Sequence, residues 1–555
     1  MELKRFNTNF TVSGQVNSAD LGALRDAGVR HLICNRPDQE APDQPSFATL
    51  AQAATEAGLV AHHLPVVHDT INSAQARAFT TLLASLDGPV HAFCRSGLRS
   101  ATLWALSQVQ QGASVDAMVQ AATSNGFDFK SFPTRFKGVM AELGNVFNAL
   151  PVQAHCPILI VGAGSGGISL AASLLRRDPL ARITLVDPAD THYYQAGFTL
   201  VGGGVFDLER TRRPMATLIP RGVTWIKAAV TNFLPEQNQV VLHDGTTLSY
   251  DRLAVCAGLK LNWEAVEGLS GTLGQNGVTS NYRPDLAPYT WELVKNFKGG
   301  KAVFTQPPMP IKCAGAPQKV LYLSADHWQR SNLLERTQID FYNAGAVLFG
   351  VKDYVPALQS YIDKYRATLH FGHNLVKVDG ATKIATFATP GPDGQPTRLE
   401  VPFDLLHVCP PQCAPDFIRN SPLADLQGWV DVDPATLRHR RYANVWGLGD
   451  VTNTPNAKTA AAVRVQAPIV ACNLLNDLHG GGSTYTYDGY GACPLTVERG
   501  KIVLAEFGYG GKLLPTFPKW LIDGQRPSKL AWLLKERMLP PIYWDAMLKG
   551  REWLA

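Results

Sequence analysis

The stretch from Pro157 to Leu170, PILIVGAGSGGISL, constrains this chain more than any other. Four apolar residues, Ile158 to Val161, precede Gly162, Gly164 and Gly167 in GxGxxG spacing, and a helix-like run follows. The pattern reads as strand, tight turn and helix. Gly162 and Gly164 allow the turn and the close approach of a pyrophosphate to the backbone, while Gly167 lets the helix pack on its strand. Unpaired N–H groups and the helix dipole then favour an anion. A second strand, Arg182 to Val186, ends on Asp187, where such a turn wants an acid for a ribose hydroxyl. Dinucleotide binding is the expectation.

A chain of 555 residues exceeds one core, so two or three domains are expected. The net charge of +5 is not gathered into a basic block, which argues against a nucleic-acid partner. The start, MELKRFNTNF, has no apolar core and is neither Arg-rich nor acid-free, so no signal or transit peptide is expected. Nine cysteines without an export signal suggest reduced thiols, with any disulfide catalytic.

Residues 1–150 alternate short apolar runs (Phe10 to Val12, His31 to Cys34, Val60 to Pro65, Val90 to Phe93) with helical patterns, which argues a small α/β domain. The last run feeds Cys94-Arg-Ser-Gly-Leu-Arg99-Ser and then a helix. Successive N–H groups in such a loop form an anion nest, and the dipole and Arg99 activate the thiol. Protein tyrosine phosphatases carry Cys-x5-Arg, whereas Cys94 to Arg99 is Cys-x4-Arg and resembles the active loop of rhodanese sulfurtransferases. The rest of the domain, from SGQVNSADLGALRDAGVRHLICNRPDQE onward, resembles a dual-specificity-phosphatase-like domain of bacterial sulfide-detoxification proteins. The shorter loop favours a persulfide sulfur over a phosphate ester, and Asp38 and Asp69 are the general-acid candidates on the phosphatase alternative. His62, His63 and His68 lack a ligand pattern, so no metal is expected.

Three further stretches follow the fingerprint. Tyr250 to Gly258 is a short strand ending in Ala-Gly, Val445 to Asp450 ends in Gly449-Asp450, and Lys301 to Lys319 reads KAVFTQPPMPIKCAGAPQK where a second GxGxxG would stand. Prolines and Cys313 in that last place argue against a reduced nicotinamide as electron donor. With THYYQAGFTLVGGG from Thr191, IKCAGAPQK from Ile311 and YDGYGACPL from Tyr487, residues 157–550 closely resemble the sulfide:quinone oxidoreductases, in the branch that includes the mitochondrial enzyme. The resemblance implies two tandem Rossmann-like folds binding FAD, with Asp450 at the ribityl or phosphate region and Lys458 at the pyrimidine edge. It also implies a redox disulfide between Cys313 and Cys493, attacked by hydrosulfide, with electrons passing to quinone and sulfane sulfur to glutathione or sulfite.

Residues 512–555 interleave Trp520, Trp532 and Trp544 with Lys529, Lys535, Arg537, Lys549 and Arg551, around Pro540-Pro541. Neither helical piece spans a bilayer, and the pattern reads as a monotopic anchor on a membrane surface, at the cytoplasmic face; a hairpin packed on the protein's own core is the alternative. The expectation is thus an α/β chain of three parts, 1–150, 151–511 and 512–555, with the first boundary near Pro151. A type II NADH:quinone oxidoreductase-like enzyme and a flavin/thiol sensor with an N-terminal phosphatase are the rival functions, and assembly into a homo-oligomer is left open.

Overall fold

Short apolar runs bounded by Gly and Asn become strands because each can bury both faces between helices. In the computed structural model, which describes residues 3–552 other than 8, 43, 111–114, 137, 141–152 and 392–394, the chain divides into two units, Met1–Val152 and Gln153–Ala555. The boundary expected near Pro151 lies outside the described residues.

In the first unit β1 (Lys4–Asn7), β2 (Phe10–Ser13), β3 (His31–Cys34), β4 (Val60–His63) and β5 (Val90–Phe93) form one sheet in the order β1-β2-β5-β3-β4. Strands β2, β5, β3 and β4 run parallel. Every residue of β2, β3 and β5 is buried, as strands covered on both faces must be. Antiparallel β1 was not expected, since KRFN carries one apolar residue and lies at the edge. Helices α1 (Leu21–Asp26), α2 (Phe47–Glu56) and α3 (Ser73–Ser85) connect the strands, and α4 (Leu98–Gln110) follows β5. Ser46 caps α2, and Asn72 and Gln75 form a capping box on α3. A further helix runs Val115–Ser124. Phe127, Phe129 and Phe132 complete the core with Trp104 of α4.

The second unit begins with β6 (Gln153–Val161), α5 (Ser165–Arg177) and β7 (Ile183–Val186). Parallel to β6 lie β7 on one side and Thr247–Val255 on the other, and the end of the latter pairs in parallel with Val445–Gly447. Val255 is in register with both Val161 and Gly447. Three strands from distant parts of the chain therefore end at one level, the carboxyl edge where open parallel sheets bind ligands. A second sheet holds five parallel strands, ordered Val278–Thr279, Leu405–His407, Gly300–Gln306, Thr337–Asn343 and Thr368–Phe371. The chain leaves Gly300–Gln306 through the proline-rich loop into α6 (Ala316–Arg330). Helix α7 (Ala460–Leu478) and the hairpin of β8 (Gly491–Glu498) and β9 (Lys501–Phe507) follow.

The C-terminal apolar residues divide. Trp532, Leu534, Tyr543, Trp544, Met547 and Leu548 are buried on the protein, whereas Trp520 is 84% exposed and Leu521, Leu530, Leu533 and Met538 are also exposed. Among the described residues no helix is long and apolar enough to cross a membrane.

The fingerprint glycines differ in what they tolerate. A Cβ on Gly167 would lie 1.8 Å from the Gly162 carbonyl oxygen, whereas one on Gly164 meets nothing within 4 Å. Gly167→Ala is expected to destabilise the larger unit by about 1–3 kcal/mol or more, since backbone must move. In ligand-free protein Gly164→Ala should leave a circular-dichroism melt within error of the parent, and equal melts for the two variants would contradict this packing.

Candidate active site

The three aligned strand ends open on a cavity of about 530 Å³. Gly162, Gly164, Asp187, Gly258, Gly449 and Asp450 all line it; Gly167 lies behind, against the turn. Asp187 accepts from the Ala163 amide at 2.6 Å and the Ala189 amide at 2.8 Å, so it braces the glycine turn while its remaining lone pairs face the cavity. Burial pushes its carboxyl above the usual range. Gly164 and Gly258 leave bare backbone beside open space, as a dinucleotide laid against the strand ends requires. These residues fit a flavin dinucleotide. Lys458 also lines the cavity, but its ammonium donates to the carbonyls of Asp450 at 2.8 Å and Thr452 at 2.6 Å. It ties down the Gly-Asp turn, and burial lowers its pKa to about 8.

Cys313 follows the proline-rich loop with φ of 51°, a left-handed conformation uncommon for a side chain with Cβ. Its amide donates to the Lys458 carbonyl at 2.9 Å, which joins this loop to the stretch before α7. Cys493, on β8, lies with its Sγ 3.3 Å from Cys313 Sγ, the two present as free thiols. Gly315 permits this approach, because a Cβ there would fall 2.7 Å from Cys493 Sγ. Lys319, one turn into α6 and almost fully buried, donates to Cys313 Sγ at 3.0 Å. The hydrogen bond with Cys493 and the Lys319 charge hold the Cys313 thiol well below its ordinary pKa, and the anion so favoured pushes Cys493 up. Lys312, the other lysine flanking Cys313, turns instead to Gln195. Cys256 and Cys409 are buried, with thiols pushed up by desolvation.

In the first unit Cys94 is buried at the end of β5, and its Sγ accepts from the Gly97 amide at 3.2 Å. Arg99 does not point a free guanidinium into that loop. It donates to both Glu40 oxygens, at 2.7 and 2.8 Å, and to the Val66 carbonyl at 2.9 Å. Arg36 reaches the same carboxylate at 2.6 Å, and the two arginines, Arg99 foremost, hold Glu40 below the usual carboxylate range. Asp38 accepts from the Phe47 amide at 2.8 Å at the start of α2. The side chain of Asp69 lies outside the described residues.

Residues 2–111 match the family model described as the phosphatase-like domain of beta-lactamase hydrolase-like protein. A beta-lactamase hydrolase-like protein of Agrobacterium fabrum is 38% identical over 112 residues, 20% of this chain and 26% of that protein. The mitochondrial sulfide:quinone oxidoreductase of Dictyostelium discoideum is 43% identical over 414 residues, covering 74% of this chain and 90% of the relative. The chain belongs to the sulfide:quinone oxidoreductase family. The solved sulfide:quinone oxidoreductase of Aquifex aeolicus shares the fold of the larger unit, with a TM-score of 0.59 at 18% identity over 72% of this chain and 92% of that one.

In this member of the sulfide:quinone oxidoreductase family, sequence reasoning missed Lys535. Its place among tryptophans and basic residues reads as an interfacial cation, yet it is 4% exposed and lines the cavity. Burial, with Lys319 nearby, lowers its ammonium to a pKa of about 7, while Cys313 and Cys493 act to raise it. No local pattern distinguishes it from Lys529 or Arg537. Gln466 on α7 was also missed; its Oε1 accepts from the Gly449 amide at 2.8 Å.

Lys319→Met removes the cation nearest Cys313, so the thiol pKa should rise and less thiolate remain at a given pH. In reduced protein the rate-against-pH profile for alkylation of Cys313 by iodoacetamide is expected to move to higher pH by roughly one unit, so that the rate on its acid limb falls about tenfold. An unchanged rate-against-pH curve would mean that Lys319 does not set this thiol.

Proposed function

We propose that this protein oxidises hydrogen sulfide at Cys313 and Cys493 and passes the electrons through FAD to a quinone. The observation that carries the reading is the meeting of two cysteines 180 positions apart, Sγ to Sγ at 3.3 Å, with a buried ammonium on one of them at the wall of the dinucleotide cavity. Family membership supports the same chemistry.

In the oxidised enzyme the pair is a disulfide. Hydrosulfide attacks Cys493 Sγ, forming a new S–S bond there and breaking the old one, which leaves a persulfide on Cys493 and a thiolate on Cys313. Cys313 is the better leaving sulfur, because Lys319 donates to it and stabilises its anion. Glutathione or sulfite takes the outer sulfur and returns Cys493 to a thiolate. Two-electron oxidation of the two thiolates then restores the disulfide. FAD held by Gly162, Gly164, Asp187, Gly258, Gly449 and Asp450 would accept that electron pair and deliver it to quinone. Lys458 would keep the Gly-Asp turn in place beneath it.

The exposed Trp520, Leu521, Leu530, Leu533 and Met538, beside exposed Lys529 and Arg537, make a surface suited to peripheral attachment to a bilayer, from which a lipid-soluble quinone would be drawn. For the first unit, sulfane-sulfur transfer at Cys94 is the reading we adopt. Arg99, the cation that a phosphate dianion would need, is turned onto Glu40, and the group that meets Cys94 Sγ is a backbone amide, that of Gly97.

Sulfide should bleach the anaerobic flavin spectrum of the purified protein, and a short-chain quinone should restore it. Both responses are expected to vanish in Cys313→Ala. Bleaching by NADH in place of sulfide would transfer the assignment to an NADH:quinone oxidoreductase.

Cys94→Ser is expected to abolish transfer of sulfane sulfur from glutathione persulfide or thiosulfate by the full-length protein, with sulfide-driven flavin bleaching unaffected. Hydrolysis of an aryl phosphate that disappears in the same variant would establish the phosphatase alternative.

A further inference from the structure

A chain of hydrogen bonds joins the far C-terminus to the glycine-rich turn. Tyr543, 4% exposed, has its hydroxyl 2.7 Å from Ser165 Oγ and 2.6 Å from His192 Nε2. His192 Nδ1 lies 3.3 Å from the Ala163 carbonyl oxygen. A carbonyl only accepts, so this arrangement assigns the imidazole proton to Nδ1. Nε2 then accepts from Tyr543, and Tyr543 accepts from Ser165. Burial draws the His192 pKa down to about 4, so the ring is neutral at physiological pH. Ala163 and Ser165 flank Gly164, the residue that faces open cavity. A single tyrosine thus fastens residues on both sides of the place where a pyrophosphate would approach.

The same segment is fastened again at the other end of α5. Glu552 accepts from both Arg177 and Ser173, with Arg177 Nη2 at 2.8 Å from Oε2. The Gly550 carbonyl accepts from Arg176 Nη1 at 3.1 Å. Met547 between these points, and Leu534, Lys535, Leu539 and Ile542 before them, line the cavity. The segment therefore forms part of the cavity wall, with one hold at the first residue of α5 and another at its last.

We infer that residues 529–552 form a cofactor-retaining strap, locked by Tyr543 onto Ser165 and His192 and by Glu552 onto Arg177 and Ser173. This rests on the flavin reading above. A dinucleotide lying along the glycine turn leaves only when the strap lifts, so its release rate is set by these two locks. Tyr543 also lines the cavity, and its hydroxyl, the only group that Tyr543→Phe removes, acts on the turn as a positioning group through Ser165 and His192.

The test uses full-length protein with its bound flavin. FAD release is followed after dilution by the gain in flavin fluorescence, in the parent, Tyr543→Phe and Glu552→Gln, with global unfolding followed separately by far-ultraviolet circular dichroism. Tyr543→Phe should release FAD about tenfold faster, the scale expected when buried partners lose a hydrogen bond, and Glu552→Gln should also accelerate release. The global melts should stay unchanged, and trypsin should cut within 529–549 faster in apoprotein than in holoprotein. Release rates equal to the parent's, or faster release only in step with a lowered global melt, would overturn the strap. Should Tyr543→Phe fail to fold, Glu552→Gln decides by the same criteria. Parent protein that neither carries nor takes up flavin would overturn the flavin reading itself, and the strap with it.

Discussion

Burying an ammonium is costly unless a negative charge comes with it, and the larger unit buries two beside its paired sulfurs. Lys319 donates directly to Cys313 Sγ, and Lys535 approaches from the C-terminal segment. The thiolate on Cys313 is the compensating charge. Its formation keeps Lys319 protonated, and Lys535, with no such direct contact, sheds its proton near neutrality. A sulfur at Cys313 that favours its anion follows from how the core settles its own charge. The loop conformation at Cys313 and the bare Cα of Gly315 serve this contact, since both bring the sulfurs together.

The two anion-suited loops of this protein resolve their cations differently. At the Cys313 loop the lysine is spent on the sulfur itself. At the Cys94 loop Arg99, with Arg36, is spent on Glu40, and the contact to the sulfur comes from the Gly97 amide. That difference favours an anionic sulfur at Cys313 and leaves Cys94 to a backbone contact.

The C-terminal segment serves two environments at once. Helical turns present Trp532, Leu534, Tyr543 and Trp544 to the protein and leave Leu530, Leu533 and Met538 outside. The sequence reads as a membrane-surface anchor, with a hairpin packed on the protein's own core as the alternative. A helix with apolar residues on more than one side has no single buried stripe, so the direction each residue faces was decided by the flavin unit against which the segment folds.

Local chemistry determined a good deal. The strand, turn and helix at Gly162 to Arg177, the parallel strands of the first unit and the replacement of a second glycine turn by a cysteine loop are all written in neighbouring residues, because steric limits on glycine and the period of apolar residues act over a few positions. The edge strand Lys4–Asn7 was not, since a pairing edge needs little apolar content. Only the tertiary structure brought Val161, Val255 and Gly447 to one level, set Cys493 against Cys313, turned Arg99 onto Glu40, pointed Lys458 at backbone carbonyls and carried Lys535 and Tyr543 into the cavity. Each of those depends on a contact between residues distant in the chain, and no spacing rule reports which long, flexible side chains will be enclosed when sheets and helices close over them.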